Sequence, residues 1–208
     1  MARKTKEEAA QTRQNLLKAA ADLFYDKGVA HTSLQDIAEA AGVTRGALYW
    51  HFKDKMDLLH VLADTCFLPH EDLLDRLVAQ EWSDPLAVLG ESCVASLDGI
   101  AHDPDRRRVF TILTQRCEYT YEMAELLARH NICRERVRER LESLLRQALQ
   151  KGRLAPMWTP QTAALTLQSM VLGFIHTEME WPAPSHARDK ARKSAIEAFF
   201  ASLSKPTV

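Results

Sequence analysis

The stretch Gly42-Val43-Thr44-Arg45-Gly46-Ala47-Leu48-Tyr49-Trp50-His51-Phe52-Lys53-Asp54-Lys55 leaves the chain few ways to fold around it. Gly42 closes the helical pattern before it, because glycine accepts the left-handed backbone of a tight turn. Thr44 is placed to cap a new helix with its side-chain oxygen. That helix has room for only about two turns. Leu48 and Phe52 stand four apart and share one face, which must be buried. Arg45, Tyr49 and His51, with small Gly46, point away from it. Stability alone does not account for a short helix that buries two apolar side chains and displays Arg, Tyr and His. A helix that enters a DNA groove does. Arginine can read guanine, a small residue permits close approach, and Tyr, His and Lys can hold phosphates.

The residues before this stretch supply its support. Arg3, Lys4 and Lys6 form a basic end, which reads either as a solvated terminus or as an arm on DNA. Thr5 and Glu8 fit a capping box that opens a first helix running to about Lys27, where Gly28 ends it. Leu16, Leu17, Ala20, Leu23 and Phe24 recur at helical spacing on its inner face. Ser33 and Asp36 fit a second capping box, followed by Ile37, Ala38 and Ala41 facing inward. Helix, tight turn and short helix, with small Ala38 where the axes approach, make a helix-turn-helix unit braced by the first helix. The N–H groups at Thr32-Ser33 can face a phosphate. This domain is expected over residues 1–55.

The remainder, 56–208, is expected to form a larger helical domain. Leu58, Leu59, Leu62, Cys66, Leu73, Leu74 and Leu77 continue a long helix in which Pro69 should cause a kink or an interruption. Trp82-Ser83-Asp84-Pro85 breaks the pattern, and Pro85 follows an Asp cap. Leu86, Leu89, Cys93, Leu97 and Ile100 mark the next helix, and Asp103-Pro104 opens another. Its Arg106-Arg107-Arg108 triplet, beside two aspartates, reads as a solvated, paired face. A long helix from Glu122 to Lys151 carries Val137, Leu141, Leu144, Leu145 and Ala148 inward, with Glu135/Arg138 and Arg138/Glu142 pairs outside. Thr159-Pro160 starts a helix that is apolar on more than one face, and a last helix spans about 186–203. Surplus apolar surface on this final pair suits a homodimer interface. No strand pattern survives, so the fold class is all-α.

Composition sets further limits. The formal net charge is −1, so bulk charge does not draw the molecule to nucleic acid. Up to Lys55, nine Lys/Arg face seven Asp/Glu, so DNA binding depends on where the basic groups stand. Cys66, Cys93, Cys117 and Cys133 form no C-x-x-C pair and read as small buried residues. No apolar run reaches the ~18 residues of a membrane span, and no signal-peptide core opens the chain, so a cytoplasmic location is expected. His176, Glu178 and Glu180 are the most enzyme-like group, and His130 with Cys133 makes a second pair. Neither completes a metal site. Neither catalysis nor a cofactor is expected, and metal analysis is the check on an enzyme or metal protein sharing the scaffold.

The N-terminal stretch resembles the TetR family of bacterial transcriptional regulators, in particular the AcrR/TtgR branch, whose members repress multidrug efflux pumps. The resemblance runs from Met1 to about Leu59. It rests on Ala2-Arg3-Lys4-Thr5-Lys6-Glu7-Glu8-Ala9, Thr12-Arg13, Ser33-Leu34, Ile37-Ala38 and the stretch 42–55. Arg116-Cys117-Glu118-Tyr119 and Glu122-Met123 extend it weakly. The family dimerises through its last two long helices on palindromic operators. By this resemblance Arg45, beside Gly46, reads a guanine edge and Tyr49 faces the same groove. Thr44, Trp50, His51 and Lys55 hold phosphates, with Ser33 on the far side. A hydrophobic small-molecule inducer is expected in the second domain. Candidates there are Phe67, Cys93, Leu97, Phe110, Leu113 and Thr114, and then Cys117, Glu118, Gln168, Met170, Leu172 and Phe174. Most of these also suit plain core packing. A regulator of another operon without a drug ligand is the alternative.

Overall fold

The computed structural model describes residues 6–117 and 124–205, with backbone alone for 67, 68, 124–127, 129 and 130. Among the described residues there are nine α-helices and no β-strand. They are α1 (Lys6–Lys27), α2 (Leu34–Ala40), α3 (Arg45–His51), α4 (Lys55–Val78), α5 (Pro85–His102), α6 (Pro104–Gln115), α7 (Ala124–Gln150), α8 (Pro160–Met179) and α9 (His186–Leu203). The chain divides into two compact units, Met1–Cys66 with Arg108–Arg129, and Phe67–Arg107 with His130–Val208.

In the first unit, α2 packs on both α1 and α3. Leu16, Ala20, Phe24, Ile37, Ala38, Leu48 and Phe52 are buried together with Leu58 and Leu59 from the start of α4. The inner face of α1 is therefore the one expected from its spacing, although Leu17 and Leu23 are only half-buried. The end of α6 belongs to this unit as well. The Arg116 carbonyl accepts the Val29 N–H at 3.0 Å, and Arg108 pairs with Asp22 at 2.8 Å. The expected Thr5 cap lies outside the described residues.

In the second unit, α5 packs against α8 and α9. Leu89, Leu97, Leu144, Leu145, Leu167 and Ile196 are buried. Gly90 makes the close approach on α9 possible, because a Cβ there would stand 3.3 Å from the Phe200 ring. Asp84 caps α5 through the Ala87 N–H, and Thr159 with Thr162 forms the cap of α8. Gly152 (φ 68°) ends α7 with two backbone bonds, from its own N–H to Leu149 and from Arg153 to Ala148.

Two expectations are corrected. Of the kink or interruption expected at Pro69, the interruption is the part overturned: α4 runs unbroken from Lys55 to Val78. A proline removes one ladder bond, and here buried Leu62 and Cys66 before it and Leu74 and Leu77 after it fix the helix on both sides. The arginine triplet is not a uniformly solvated face either. Arg106 pairs with Asp103 near the surface, whereas Arg107 reaches Glu178 at 3.3 Å with little exposure on either side. Glu178, which the sequence groups with His176 and Glu180, is a buried acceptor for Arg107, Arg188 and Arg192. Arg192 also bonds Asp98 at 2.6 Å and Asp189 at 2.9 Å. The network thus ties α5, α6, α8 and α9 around the buried, matched charges of Glu178 and Arg192.

Candidate nucleic-acid interface

The approach to α3 is built by local chemistry. Thr32 donates its hydroxyl to the carbonyls of Gly28 (2.8 Å) and Leu23 (3.3 Å), which pins the turn before α2. Ser33 then caps α2. Its hydroxyl accepts the Asp36 N–H, and the Asp36 carboxylate accepts the Ser33 N–H at 2.9 Å. The Ser33 N–H, followed by the Ser33 hydroxyl, holds the Asp36 carboxyl below its usual pKa, with Lys27 adding a smaller pull. At the other end, Gly42 adopts φ 67°. Its N–H bonds Glu39 and the Val43 N–H bonds Ala38 at 2.9 Å, the paired closure that lets a helix stop within one residue.

Thr44 accepts the Ala47 N–H at 3.2 Å and so begins α3. Leu48 and Phe52 are fully buried beneath it, and the Arg13 guanidinium covers the Phe52 ring at 4.9 Å. The opposite face is open. Arg45 and Gly46 are exposed, Tyr49 is 46% exposed and Trp50 76% exposed. Such exposure of two large aromatics on one short helix favours a surface that meets a partner. His51 is half-buried, with its ring edge-on to Trp50 at 5.0 Å.

Of the expected DNA-facing residues, Thr44, Arg45, Gly46, Tyr49, Trp50 and His51 lie on α3 or its cap, and Ser33 opens α2. Lys55 has a task that its sequence position did not disclose. Its ammonium donates to the carbonyls of Val29 (2.7 Å), Thr32 (3.1 Å) and Ala30 (3.4 Å). It therefore ties the start of α4 to the turn that leads into α2.

The ligand candidates fall in both units. In the first, Phe110 is buried, Leu113 and Cys117 are half-buried, and exposed Thr114 donates its hydroxyl to the Phe110 carbonyl. Burial raises the Cys117 thiol to about 11. In the second, Cys93 and Leu97 are buried on one face of α5, and burial raises the Cys93 thiol to about 12. Met170, Leu172 and Phe174 are half-buried, and the Gln168 amide donates to the Arg134 carbonyl at 2.6 Å. The Phe67 side chain, Glu118 and the His130 side chain lie outside the described residues. None of the four cysteines is in a disulfide. His176 and Glu180 form an exposed pair at 3.8 Å, and among the described residues no three potential ligands cluster for a metal.

Comparison with known proteins agrees with this architecture. Residues 16–62 match the model of bacterial regulatory proteins of the tetR family, and residues 84–201 match the C-terminal region of MAATS-type transcriptional repressors. The chain belongs to the TetR family of transcriptional regulators and is not an enzyme. It is similar to the HTH-type transcriptional repressor BepR of Brucella suis, with 41% identity over 86% of this chain and 84% of BepR. The crystal structure of NalD, the secondary repressor of the MexAB-OprM multidrug efflux pump in Pseudomonas aeruginosa, superposes with TM-score 0.85. Its identity is 36%, over 97% of this chain and 100% of NalD. SmeT, a repressor from Stenotrophomonas maltophilia, was solved in complex with triclosan. It superposes with TM-score 0.81 at 30% identity, over 94% of this chain and 93% of SmeT. Among the described residues no helix is long and apolar enough to cross a membrane.

Proposed function

We propose that this protein is a cytoplasmic homodimeric repressor of a multidrug efflux operon, released from a palindromic operator by a hydrophobic small molecule. The observation that carries the reading is the open face of α3, where Arg45, Gly46, Tyr49 and Trp50 stand exposed above a buried Leu48 and Phe52. Arg45 reads guanine through its O6/N7 edge, and Tyr49 lies in the same groove. Thr44, Trp50 and His51 meet phosphates, with Ser33 across the groove, and Lys55, its donors held by the Val29, Ala30 and Thr32 carbonyls, adds its charge. The DNA-binding domain comprises 1–55 and the ligand-binding and dimerisation domain 56–208.

Dimerisation runs through α8 and α9. Exposed Leu165 on α8 and exposed Ala191, Ala195 and Ala198 along one face of α9 support this, since small residues allow close helix approach. The dimer sets two copies of α3 in successive major grooves roughly 34–36 Å apart. The inducer acts by binding better to a dimer whose recognition helices are wrongly spaced. The efflux operon is inferred from NalD and SmeT, and the hydrophobic inducer from the SmeT–triclosan complex.

The test is a titration of purified protein onto the intergenic DNA beside its own gene, at two salt concentrations, against a scrambled duplex. The expected result is salt-dependent binding that prefers the native duplex by ~10³ or more. Equal affinity for the two duplexes overturns the assignment of this operator. Addition of triclosan or another hydrophobic drug should lower operator affinity. Failure of a broad drug panel to stabilise the protein would point to a regulator without a drug ligand.

A further inference from the structure

The open face of α3 contains an internal pair. Arg45 Nη2 donates to the Tyr49 hydroxyl at 3.0 Å, and the guanidinium carbon lies 5.4 Å from the centre of the Tyr49 ring. The two residues stand one turn apart on a helix whose backbone is fixed by the Thr44 cap and by buried Leu48 and Phe52. An exposed arginine otherwise samples many rotamers, and every contact it makes must first overcome that freedom. The phenol of Tyr49 restricts Arg45 from two directions, by a hydrogen bond at one nitrogen and by its ring against the cation. Only part of the guanidinium fork is engaged, so donors remain for a bidentate approach to a base.

We propose that Tyr49 is a positioning residue for sequence specificity: it holds Arg45 in the orientation that reads guanine. This rests on the assignment of Arg45 as the guanine reader. Tyr49 then acts through Arg45, and its hydroxyl matters to discrimination between sequences more than to general attraction for DNA.

The experiment uses the full-length protein and a duplex that the wild type selects from a random-sequence pool. Each guanine of that duplex is replaced in turn by 7-deazaguanine, which lacks the N7 acceptor. Wild type should lose about 10-fold or more at the guanine that Arg45 reads. Arg45→Ala should bind the intact duplex weakly and lose nothing more at that guanine. Tyr49→Phe keeps the ring and removes the hydroxyl. It should weaken specific binding by about 3- to 10-fold and reduce the penalty at that same guanine. Its loss on random DNA should be clearly smaller than its loss on the selected duplex. Tyr49→Leu should lose more.

Three results overturn the proposal while the Arg45 assignment stands: Tyr49→Phe binding as wild type does, Tyr49→Phe retaining the whole guanine penalty, or an equal loss on every duplex, random DNA included. The last would make the hydroxyl a phosphate contact. A wild type indifferent to every 7-deazaguanine, or an Arg45→Ala that keeps the penalty, removes the Arg45 assignment and the proposal with it.

Discussion

Lys55 shows how one side chain can serve two ends. Its three bonds to the Val29, Ala30 and Thr32 carbonyls hold the turn that carries Ser33. Lys55→Ala should lower the free energy of unfolding by about 1–2 kcal/mol, read from urea titration, as well as weaken DNA binding uniformly and reduce its salt slope. Lys55→Arg should not restore the stability, because a planar fork cannot reproduce three convergent donors. Asp36 gives a pH signature. Its folded pKa is depressed, so its stabilising contribution is present above the unfolded value of about 3.9 and is lost as pH falls through the folded value. The stability difference between wild type and Asp36→Ala should therefore shrink as pH falls below the ordinary carboxylate value of about 3.9. A difference that grows on acidification would contradict the bonding described for Ser33. The Ser33–Asp36 box was readable from its spacing, since both partners lie within one helical turn. The carbonyls that Lys55 holds are 23 to 26 residues away, and no local pattern announces them.

At the scale of elements, α2 and α3 depend on their ends more than their lengths. Each has seven residues, too few to persist in water without caps and a buried face. Thr44→Ala should cost about 1 kcal/mol in thermal or chemical unfolding, whereas Thr44→Ser should cost little. Gly42→Ala should also cost about 1–2 kcal/mol. A Cβ there meets nothing within 4 Å, so the loss comes from the left-handed backbone alone. These two helices, the turn between them and the buried pair Leu48 and Phe52 were legible because caps, glycine and spacing all act locally. The continuity of α4 through Pro69 was not, because it depends on packing against elements elsewhere in the chain. Arg107 and Arg108 make the same point. They are neighbours in sequence, yet one bonds Glu178 and the other Asp22.

For the whole molecule, charge placement decides more than total charge. The chain is close to neutral overall, and the buried charges of Glu178 and Arg192 are matched to each other and to their neighbours. Glu178→Ala removes the acceptor that Arg107 and Arg192 share, while Arg192 keeps Asp98 and Asp189 and Arg107 keeps the Trp181 carbonyl. It should therefore lower stability by about 1–3 kcal/mol in urea unfolding. Added salt should not reproduce that loss, since a pair so little exposed is poorly screened. Glu178 stood in the sequence beside His176 and Glu180 as part of the most enzyme-like group. Its own position on the other face of α8 was the one signal that it points inward. The ligand candidates were the least legible part of the sequence, because apolar spacing looks the same whether a helix lines a cavity or fills a core.

Trp50 has a practical consequence of its own. It is the most exposed of the chain's four tryptophans, and it stands beside Arg45 and Tyr49 on the proposed DNA-reading face. Its fluorescence is therefore a native optical gauge of operator occupancy, with no dye or label attached. Iodide should quench it readily in free protein and lose much of that access once DNA covers α3. Drug-induced release should restore the quenching in the same cuvette.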